Sequence, residues 1–476
     1  MAYKHGERNQ AVFFPKTIDE CVANDAPVRA YAAFIQAIDL NLLNIEYDPN
    51  KVGNSSYNPK TMLTLLAYGY SYGLRSSRKL ERACHDILPF IWIMGDLKPD
   101  HKTIAEFRRK NRNSIKKIIK LCARMCVEMD LIDGNVLFID GSRLRANASV
   151  QNSWTKKKAM KALEEIDERI ERLLNECEAV DEEEKDMGSL VKMNEELKDK
   201  KVLRERIAGI LEKISKEDSS SLNTTDEDCV RIHSRQGSHA GYNGQIVVDD
   251  KNGLIVNSDV VDTNCDNGQF SSQLQQAQVV VDGKCKTAVA DAGYVDWEDI
   301  SNTDIEKTDI ILPSCFQASG KEKKAFDASH FQYDEQNDCY ICPVGIKLLH
   351  SGYDPKRKCK IYIGGKACLK CVNFGKCTKN KHYGKKIRRS DYEKTRAKLE
   401  KRYEEPDAKK IYNKRKTKVE HPFGHIKRNL GFGHFLLRGL EGVRAEWSLI
   451  ACVFNITRMI RMLGVNGLIT KIRSPG

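Results

Sequence analysis

Long apolar runs are missing from this 476-residue chain. A bilayer span needs about 20 consecutive, mostly uncharged apolar residues, and the best stretch, Trp447 to Leu463, is interrupted by Arg458 and Arg461. It reads as a buried amphipathic helix, and no membrane partner is expected. Met1 to Gln10 is polar and lacks the apolar centre of a secretion signal. The 16 cysteines are therefore expected in a reducing compartment, where disulfides are disfavoured and clustered thiols point to metal. Acidic charge is in deficit, 66 Asp and Glu against 79 Lys and Arg, for a net of +13. With 41% hydrophobic and 30% charged residues, the composition excludes collagenous, mucin-like and mostly unfolded chains. Domains run to roughly 100–150 residues, so a chain of this length predicts two to four units.

Residues 28–130 read as helical. Val28 to Leu43 is apolar with helical spacing, Pro59 opens a run from Lys60 to Tyr72, and Thr103 to Met129 repeats apolar positions every three or four residues. The basic turn Gly73-Leu74-Arg75-Ser76-Ser77-Arg78-Lys79 and the run Phe107-Arg108-Arg109-Lys110 suit contact with a DNA backbone. A solvated surface on a dimerising or scaffold domain is the alternative. Asn135 to Ile139 is a short apolar run that delivers Asp140 ahead of Gly141-Ser142, which predicts a buried strand with Asp140 at its end. Residues 156–218 hold 15 basic and 19 acidic side chains, with Leu163, Ile166, Ile170, Leu173 and Cys177, then Leu203, Ile207, Ile210 and Ile214, at heptad-like spacing. The acidic segment Asp181 to Asp186 between them predicts an antiparallel helical hairpin, serving either dimerisation or as a spacer. Beyond it, Tyr242–Asp249 and Gly253–Asp259 flank Asp250-Lys251-Asn252 as a β-hairpin. A helix over Gln269 to Val279 follows, and then a second short strand, Thr287 to Ala290, delivers Asp291 ahead of Gly293. These elements predict a mixed α/β sheet with helices packed on it.

Two acids from neighbouring strands can hold a divalent cation, because Mg²⁺ takes hard oxygen ligands and commonly binds one or two carboxylates with phosphate oxygens. A third acid would complete a two-metal site for in-line phosphoryl transfer. Glu420 is the best candidate, seven residues before Lys427 and two before Pro422, which is expected to weaken the helix between them; Glu446 is a fallback. Taken singly, an Asp after a strand is more often a turn or helix cap. Residues 379–428 carry 19 Lys and Arg against 7 Asp and Glu, almost the whole positive excess, which points to a polyanionic partner. Six cysteines, Cys339, Cys342, Cys359, Cys368, Cys371 and Cys377, fall within 39 residues and include two C-x2-C pairs. That spacing suits a structural zinc ribbon or knuckle, with unligated thiols as the alternative.

These residues resemble the DDE transposases of bacterial insertion sequences, most closely the insertion-sequence 1182 family, related to the insertion-sequence 4 type. The resemblance runs from about residue 12 to residue 463. It is carried by Gly73 to Lys79, Lys98-Pro99-Asp100-His101-Lys102-Thr103-Ile104, Phe138-Ile139-Asp140-Gly141-Ser142, Gly241-Tyr242-Asn243-Gly244-Gln245 and Ala290-Asp291-Ala292-Gly293-Tyr294. Ile341-Cys342-Pro343, Val419-Glu420-x2-Phe423-Gly424-x-Ile426-Lys427 and Phe435 to Trp447 complete the series. The resemblance implies an RNase H-like core with Asp140, Asp291 and Glu420 as a Mg²⁺- or Mn²⁺-binding triad. It further implies hydrolysis at transposon ends and attack of the freed 3′ hydroxyl on target DNA. Tyr412, Arg415 and Lys427 match a signature whose residues hold the DNA end; four residues rather than the usual three separate Arg415 from Glu420, which leaves Lys416 as a substitute. Cys342, Cys368, Cys371 and Cys377 match the cysteine pattern, and Cys339 and Cys359 are additions.

The expected organisation is a helical DNA-binding domain over residues 1–130 with Arg75, Arg78 and Lys79 on DNA, and an RNase H-like core over 131–155 and 222–315. A charged helical hairpin interrupts it at 156–221, a cysteine-rich basic insertion spans 316–390, and a helical part at 391–476 carries the catalytic Glu. The expected partners are double-stranded DNA with terminal inverted repeats, target DNA and a second copy of the chain, at the nucleoid in a bacterial cytoplasm. The rival readings are a catalytically inactive, transposase-derived DNA-binding protein and a metal-dependent nuclease that cuts without joining.

Overall fold

A computed structural model describes residues 16–47, 56–183, 187–216, 221–234, 237–320, 322 and 324–474, with 177–183, 187–194 and 234 described by backbone alone. Met1 to Gln10, the Cys177 side chain and the acidic Asp181 to Asp186 side chains lie outside that description. Among the described residues up to 130, the chain forms helices α1 (Pro27–Ala37), α2 (Pro59–Ser71), α3 (Ser77–Asp86), α4 (Leu88–Met94), α5 (His101–Lys110) and α6 (Ile118–Glu128). Proline opens α1 and α2, where its missing N–H costs nothing. Asn58 and Asp100 cap α2 and α5 by accepting from the Lys60 and Thr103 amides. Two expectations need correction. The first helix stops at Ala37, because Ile38 turns extended, and the periodic run from Thr103 to Met129 is broken at Asn111 and again near Lys117 rather than being one helix.

The central sheet is mixed. Its strands are β1 (Val136–Arg145), β2 (Val230–Ser234), β3 (Gly237–Asp249), β4 (Ile255–Val261), β5 (Thr287–Val289) and β6 (Asp309–Ile311). β1 runs antiparallel to β3 and parallel to β5, β6 lies parallel beyond β5, and both β2 and β4 pair with the far edge of β3. Leu137, Phe138 and Ile139 are fully buried, the continuous apolar run of a strand covered on both faces. β1 does not end at Asp140, however. It continues through Gly141 to Arg145, because β3 is long enough to pair with every residue from Leu137 to Arg145.

Between β1 and β2 rises a hairpin of two long helices, α7 (Lys156–Glu183) and α8 (Met187–Lys216), its base closed where Ser153-Trp154 pairs with Leu222-Asn223. Ala159, Ile166 and Ile207 form its seam, with Leu163 and Ile170 beside them, whereas Leu203 is exposed. Helix α9 (Phe270–Val280) packs on the sheet after β4. The cysteine-rich segment builds a separate five-stranded antiparallel sheet, β7 (Gln332–Asp334), β8 (Cys339–Ile341), β9 (Lys347–Asp354), β10 (Cys359–Ile363) and β11 (Lys386–Ser390), with its own small core around Phe331, Tyr340, Leu348 and Tyr362.

The chain ends in α10 (Glu393–Glu404), α11 (Pro406–Gly424) and α12 (Leu440–Arg473), the last broken at Gly464, whose φ is 70°. By length and composition α12 is apolar enough to cross a membrane, but most of it is buried inside this fold. It packs against α1, α2, α6 and β4, and Tyr31 reaches its Thr457 hydroxyl at 2.8 Å. One continuous apolar core therefore runs from the N-terminal helices through the sheet to Leu468. Pro422 does not stop α11. The helix carries it and passes into a π turn over His425–Asn429, which shifts the face on which Lys427 emerges relative to Glu420.

Candidate active site

Sheet register brings the two aspartates together. β5 pairs in parallel with β1 up to Phe138 and Val289, so two further residues along each strand set Asp291 beside Asp140. Asp291 caps the short turn Ala292–Tyr294, its carboxylate accepting from the Gly293 amide at 2.8 Å. Arg415, from α11, reaches both acids: Nη1 lies 3.4 Å from Asp140 Oδ1 and Nη2 3.9 Å from Asp291 Oδ2. Its Nε and Nη1 are buried without a hydrogen-bond partner, so the guanidinium neutralises the pair without being bound tightly by it. Burial lifts the Asp140 carboxyl to about 6; Arg415 opposes that shift, and Asp291 and Asp266 reinforce it.

Lys427 comes to the same edge, donating from Nζ to Ser142 Oγ at 2.5 Å. Desolvation lowers its pKa and the Asp140 carboxylate opposes the shift. Tyr412 is half-buried, packed edge-on against Tyr403 at 5.1 Å, with the Arg415 guanidinium 5.7 Å from its ring. Lys416 is exposed. Glu420 is also exposed, one and a half turns beyond Arg415 on α11. No three His, Cys, Asp or Glu side chains among the described residues are gathered closely enough to hold a metal ion as they stand.

A further acid, Asp266, lies at the site and carried no role in the sequence reading. It is buried, with Oδ1 accepting from Asn243 Nδ2 at 2.8 Å and Gln245 Nε2 at 2.9 Å. Arg143 Nη2 lies 3.1 Å from its other oxygen. Asn243 and Gln245 belong to a motif that the resemblance marked, and its polar residues on a strand in the centre of a sheet were the available signal.

Three expectations about basic and acidic groups are corrected. Arg75 is buried rather than facing DNA: Nη1 pairs with Glu446 at 3.1 Å and donates to the His434 carbonyl at 2.7 Å, and the guanidinium stacks 4.5 Å from the Phe432 ring. Glu446, the fallback acid, is consumed by that pair and by the Leu436 and Leu437 amides. Arg108 is buried too, donating to the Arg75 carbonyl and to Ser77 Oγ, so it shapes the basic turn from within. Arg78 and Lys79 are exposed at the start of α3. Part of the basic excess around α11 is spent internally, with Lys414 and Lys418 on Asp250 and Arg402 on Asp309 and Asp407.

The cysteines divide. Cys342, Cys368, Cys371 and Cys377 line one small cavity with Phe331 and Phe374, and the other three thiols push up the Cys377 pKa along with burial, the larger cause. The Ile346 amide donates to Cys342 Sγ at 3.1 Å and the Asn373 amide to Cys371 Sγ at 3.4 Å. Cys339 and Cys359 are buried within β8 and β10 instead.

Residues 321–460 match a protein family described as Transposase DDE domain, and residues 16–110 match one described as Transposase domain (DUF772). The chain carries the domains of a DDE transposase. The matches indicate a DNA transposase, an enzyme of the polynucleotidyl-transferase type. The first matched segment contains the cysteine cavity, Arg415, Glu420 and Lys427, and the second contains Arg75, Arg78 and Lys79; Asp140 and Asp291 lie outside both. No curated protein and no solved structure matches the chain.

Proposed function

We propose that this transposase cuts DNA at the ends of an insertion sequence of the 1182 type and joins the freed 3′ hydroxyl to target DNA. In this reading it uses divalent cations held by Asp140, Asp291 and Glu420. The observation that carries it is the pairing of Asp140 and Asp291 on adjacent parallel strands around one cation, the Arg415 guanidinium. Two carboxylates gathered about a positive charge suit Mg²⁺ or Mn²⁺ by donor chemistry. Bound there, the cations would activate the attacking oxygen and stabilise the leaving one.

The sheet supports an RNase H-like core: three antiparallel strands, β4, β3 and β1, followed by two parallel ones, β5 and β6, with the acids at the β1 and β5 positions. Glu420 would close the site by a movement of α11, the same movement that would carry Arg415 from the aspartates to a DNA phosphate. Lys427 and Ser142 hold the adjoining edge, and Tyr412 and Lys416 flank it on α11, positions suited to holding the DNA end. Exposed Arg78 and Lys79 supply backbone contacts from the helical region. Cys342, Cys368, Cys371 and Cys377, lining one cavity, offer the donor set of a structural Zn²⁺ and would draw together around it, with backbone N–H groups already on two of the sulfurs. The protein would work as a homodimer holding two ends at the bacterial nucleoid.

The test is cleavage and joining of a labelled duplex carrying the element's own ends, with Mg²⁺ or EDTA, for the natural protein, Asp291→Ala and Glu420→Gln. Metal-dependent joined products lost in both variants are expected. Binding of ends without cleavage by the natural protein would make it a DNA-binding relic. Cleavage without joining would make it a nuclease.

A further inference from the structure

Each proposed metal-binding aspartate is followed closely by a glycine, Gly141 after Asp140 and Gly293 after Asp291. Both glycines face the same third carboxylate. A Cβ on Gly141 would stand 2.3 Å from Asp266 Oδ1, 2.5 Å from Gln245 Nε2 and 3.0 Å from Asn243 Oδ1. One on Gly293 would stand 2.9 Å from Asp291 Oδ1 and 3.6 Å from Asp266 Oδ2. Neither glycine has a positive φ, so their smallness answers a need for space: at Gly141 the Asp266 carboxylate and the Gln245 amide impose it, and at Gly293 Asp291's own carboxylate does, with Asp266 in ordinary contact beyond.

Asp266 thus stands where four segments meet. They are β1 through Gly141 and Arg143, β3 through Asn243 and Gln245, its own loop after β4, and the turn after β5 through Gly293 and Tyr294. The network is tied further by the Tyr294 hydroxyl, which donates to Gln245 Oε1, and by the Asp266 carbonyl, which accepts from the Gln269 amide at 3.2 Å. Asn243, fully buried, keeps Oδ1 unpartnered and turned toward Gly141. A carboxylate with an 8% exposed side chain is costly to bury unless its oxygens are bonded. Here Oδ1 takes two amide donors and Oδ2 faces a guanidinium. Both oxygens are engaged, so Asp266 is built to hold protein rather than to bind a cation directly.

We propose that Asp266 is the positioning residue of the metal site, a buried clamp that sets the spacing between strand β1 at Asp140 and the turn after β5 at Asp291 by seating Gly141 and Gly293. This rests on the metal-binding reading of those aspartates. Groups that orient metal ligands without touching the metal typically contribute about 10- to 100-fold in affinity, and the clamp acts in that range.

The experiment is Mn²⁺ titration of the full-length protein without DNA, by the paramagnetic resonance signal of free Mn²⁺, with a thermal melt of each sample. Asp266→Asn keeps an acceptor for Asn243 and Gln245 but loses the Arg143 pair. It should bind Mn²⁺ about ten-fold or more weakly, with unchanged stoichiometry and a melt close to the natural protein's. Gly141→Ala, which presses on the clamp from the other side, should show the same loss, and it decides the matter if Asp266→Asn fails to fold. Affinity within two-fold of the natural protein in a folded variant overturns the proposal. Loss of one bound Mn²⁺ also overturns it, because Asp266 would then be a ligand. Asp140→Asn is the control: if it binds Mn²⁺ as the natural protein does, the metal-binding reading itself fails and takes the clamp with it.

Discussion

Arg75→Met is the sharpest test of how the basic turn is used. Arg75 and Glu446 have side chains 7% and 0% exposed, their nearest charged atoms 3.1 Å apart. Removing the guanidinium leaves the Glu446 carboxylate buried with only the Leu436 and Leu437 amides, at 2.9 and 3.0 Å, and strips the His434 carbonyl of its donor. Breaking such a buried pair from one side costs about 3–5 kcal/mol. Glu446→Gln retains an acceptor for those amides and should cost less, about 1.5–3 kcal/mol, the worth of a hydrogen bond to a charged group. The double variant should be more stable than Arg75→Met alone, since it no longer buries an unpaired charge; the coupling should fall within about 0.5–3 kcal/mol. Burial already pushes the Glu446 carboxyl up while Arg75 and the two amides hold it down. Without Arg75 it rises further, so the deficit of Arg75→Met should shrink as pH falls. Urea unfolding followed by tryptophan emission, with Trp447 beside Glu446 in the core, reads all three variants. An Arg75→Met protein as stable as the natural one but unable to bind DNA would refute the reasoning and return Arg75 to the DNA surface.

Three other outcomes are expected. With its folded pKa lifted to about 6 from 3.8, Asp140 adds stability that is complete below about pH 4 and lost as pH climbs through about 6. In EDTA at pH 7.5, Asp140→Asn should therefore unfold at higher urea than the natural protein, by up to about 3 kcal/mol, and the gap should close at pH 4. Purified protein should carry about one zinc per chain by elemental analysis; Cys371→Ser should lose it and Cys359→Ser should keep it, and equal zinc in both variants would disprove the four-thiol site. Arg78→Ala with Lys79→Ala should weaken binding to all duplexes alike and lower the salt dependence by about two counterions, whereas a sequence-selective loss would show that these residues read bases.

Local patterning is legible in this chain wherever neighbouring residues decide the outcome. The β-hairpin around Asp250 to Asn252, the helix after it and the apolar seam of α7 and α8 follow from side-chain periodicity and turn chemistry. Asp140 and Asp291 were visible because a short apolar run followed by an acid and a glycine is a local signal. Local signals failed where pairing elsewhere extended or interrupted an element. β1 runs past Asp140 because β3 supplies partners out to Arg145, and α5 and α6 part where the apolar spacing alone ran on.

The sequence by itself determined the short strands that carry Asp140 and Asp291, the helical hairpin, the excess of positive charge and the candidate acids and thiols. Only the tertiary structure decided which of them face inward and which partner each one meets. Arg75 and Arg78 sit three residues apart in one basic turn, yet one is buried on Glu446 and the other is exposed. Six clustered cysteines become four around a cavity and two inside strands. Asp266, in a loop with no motif of its own, becomes the carboxylate that both Gly141 in β1 and Gly293 in the turn after β5 face. The reason is physical: periodicity is a property of adjacent residues, whereas desolvation and charge pairing depend on groups hundreds of positions away, brought within a few ångströms only when the sheet and its helices close.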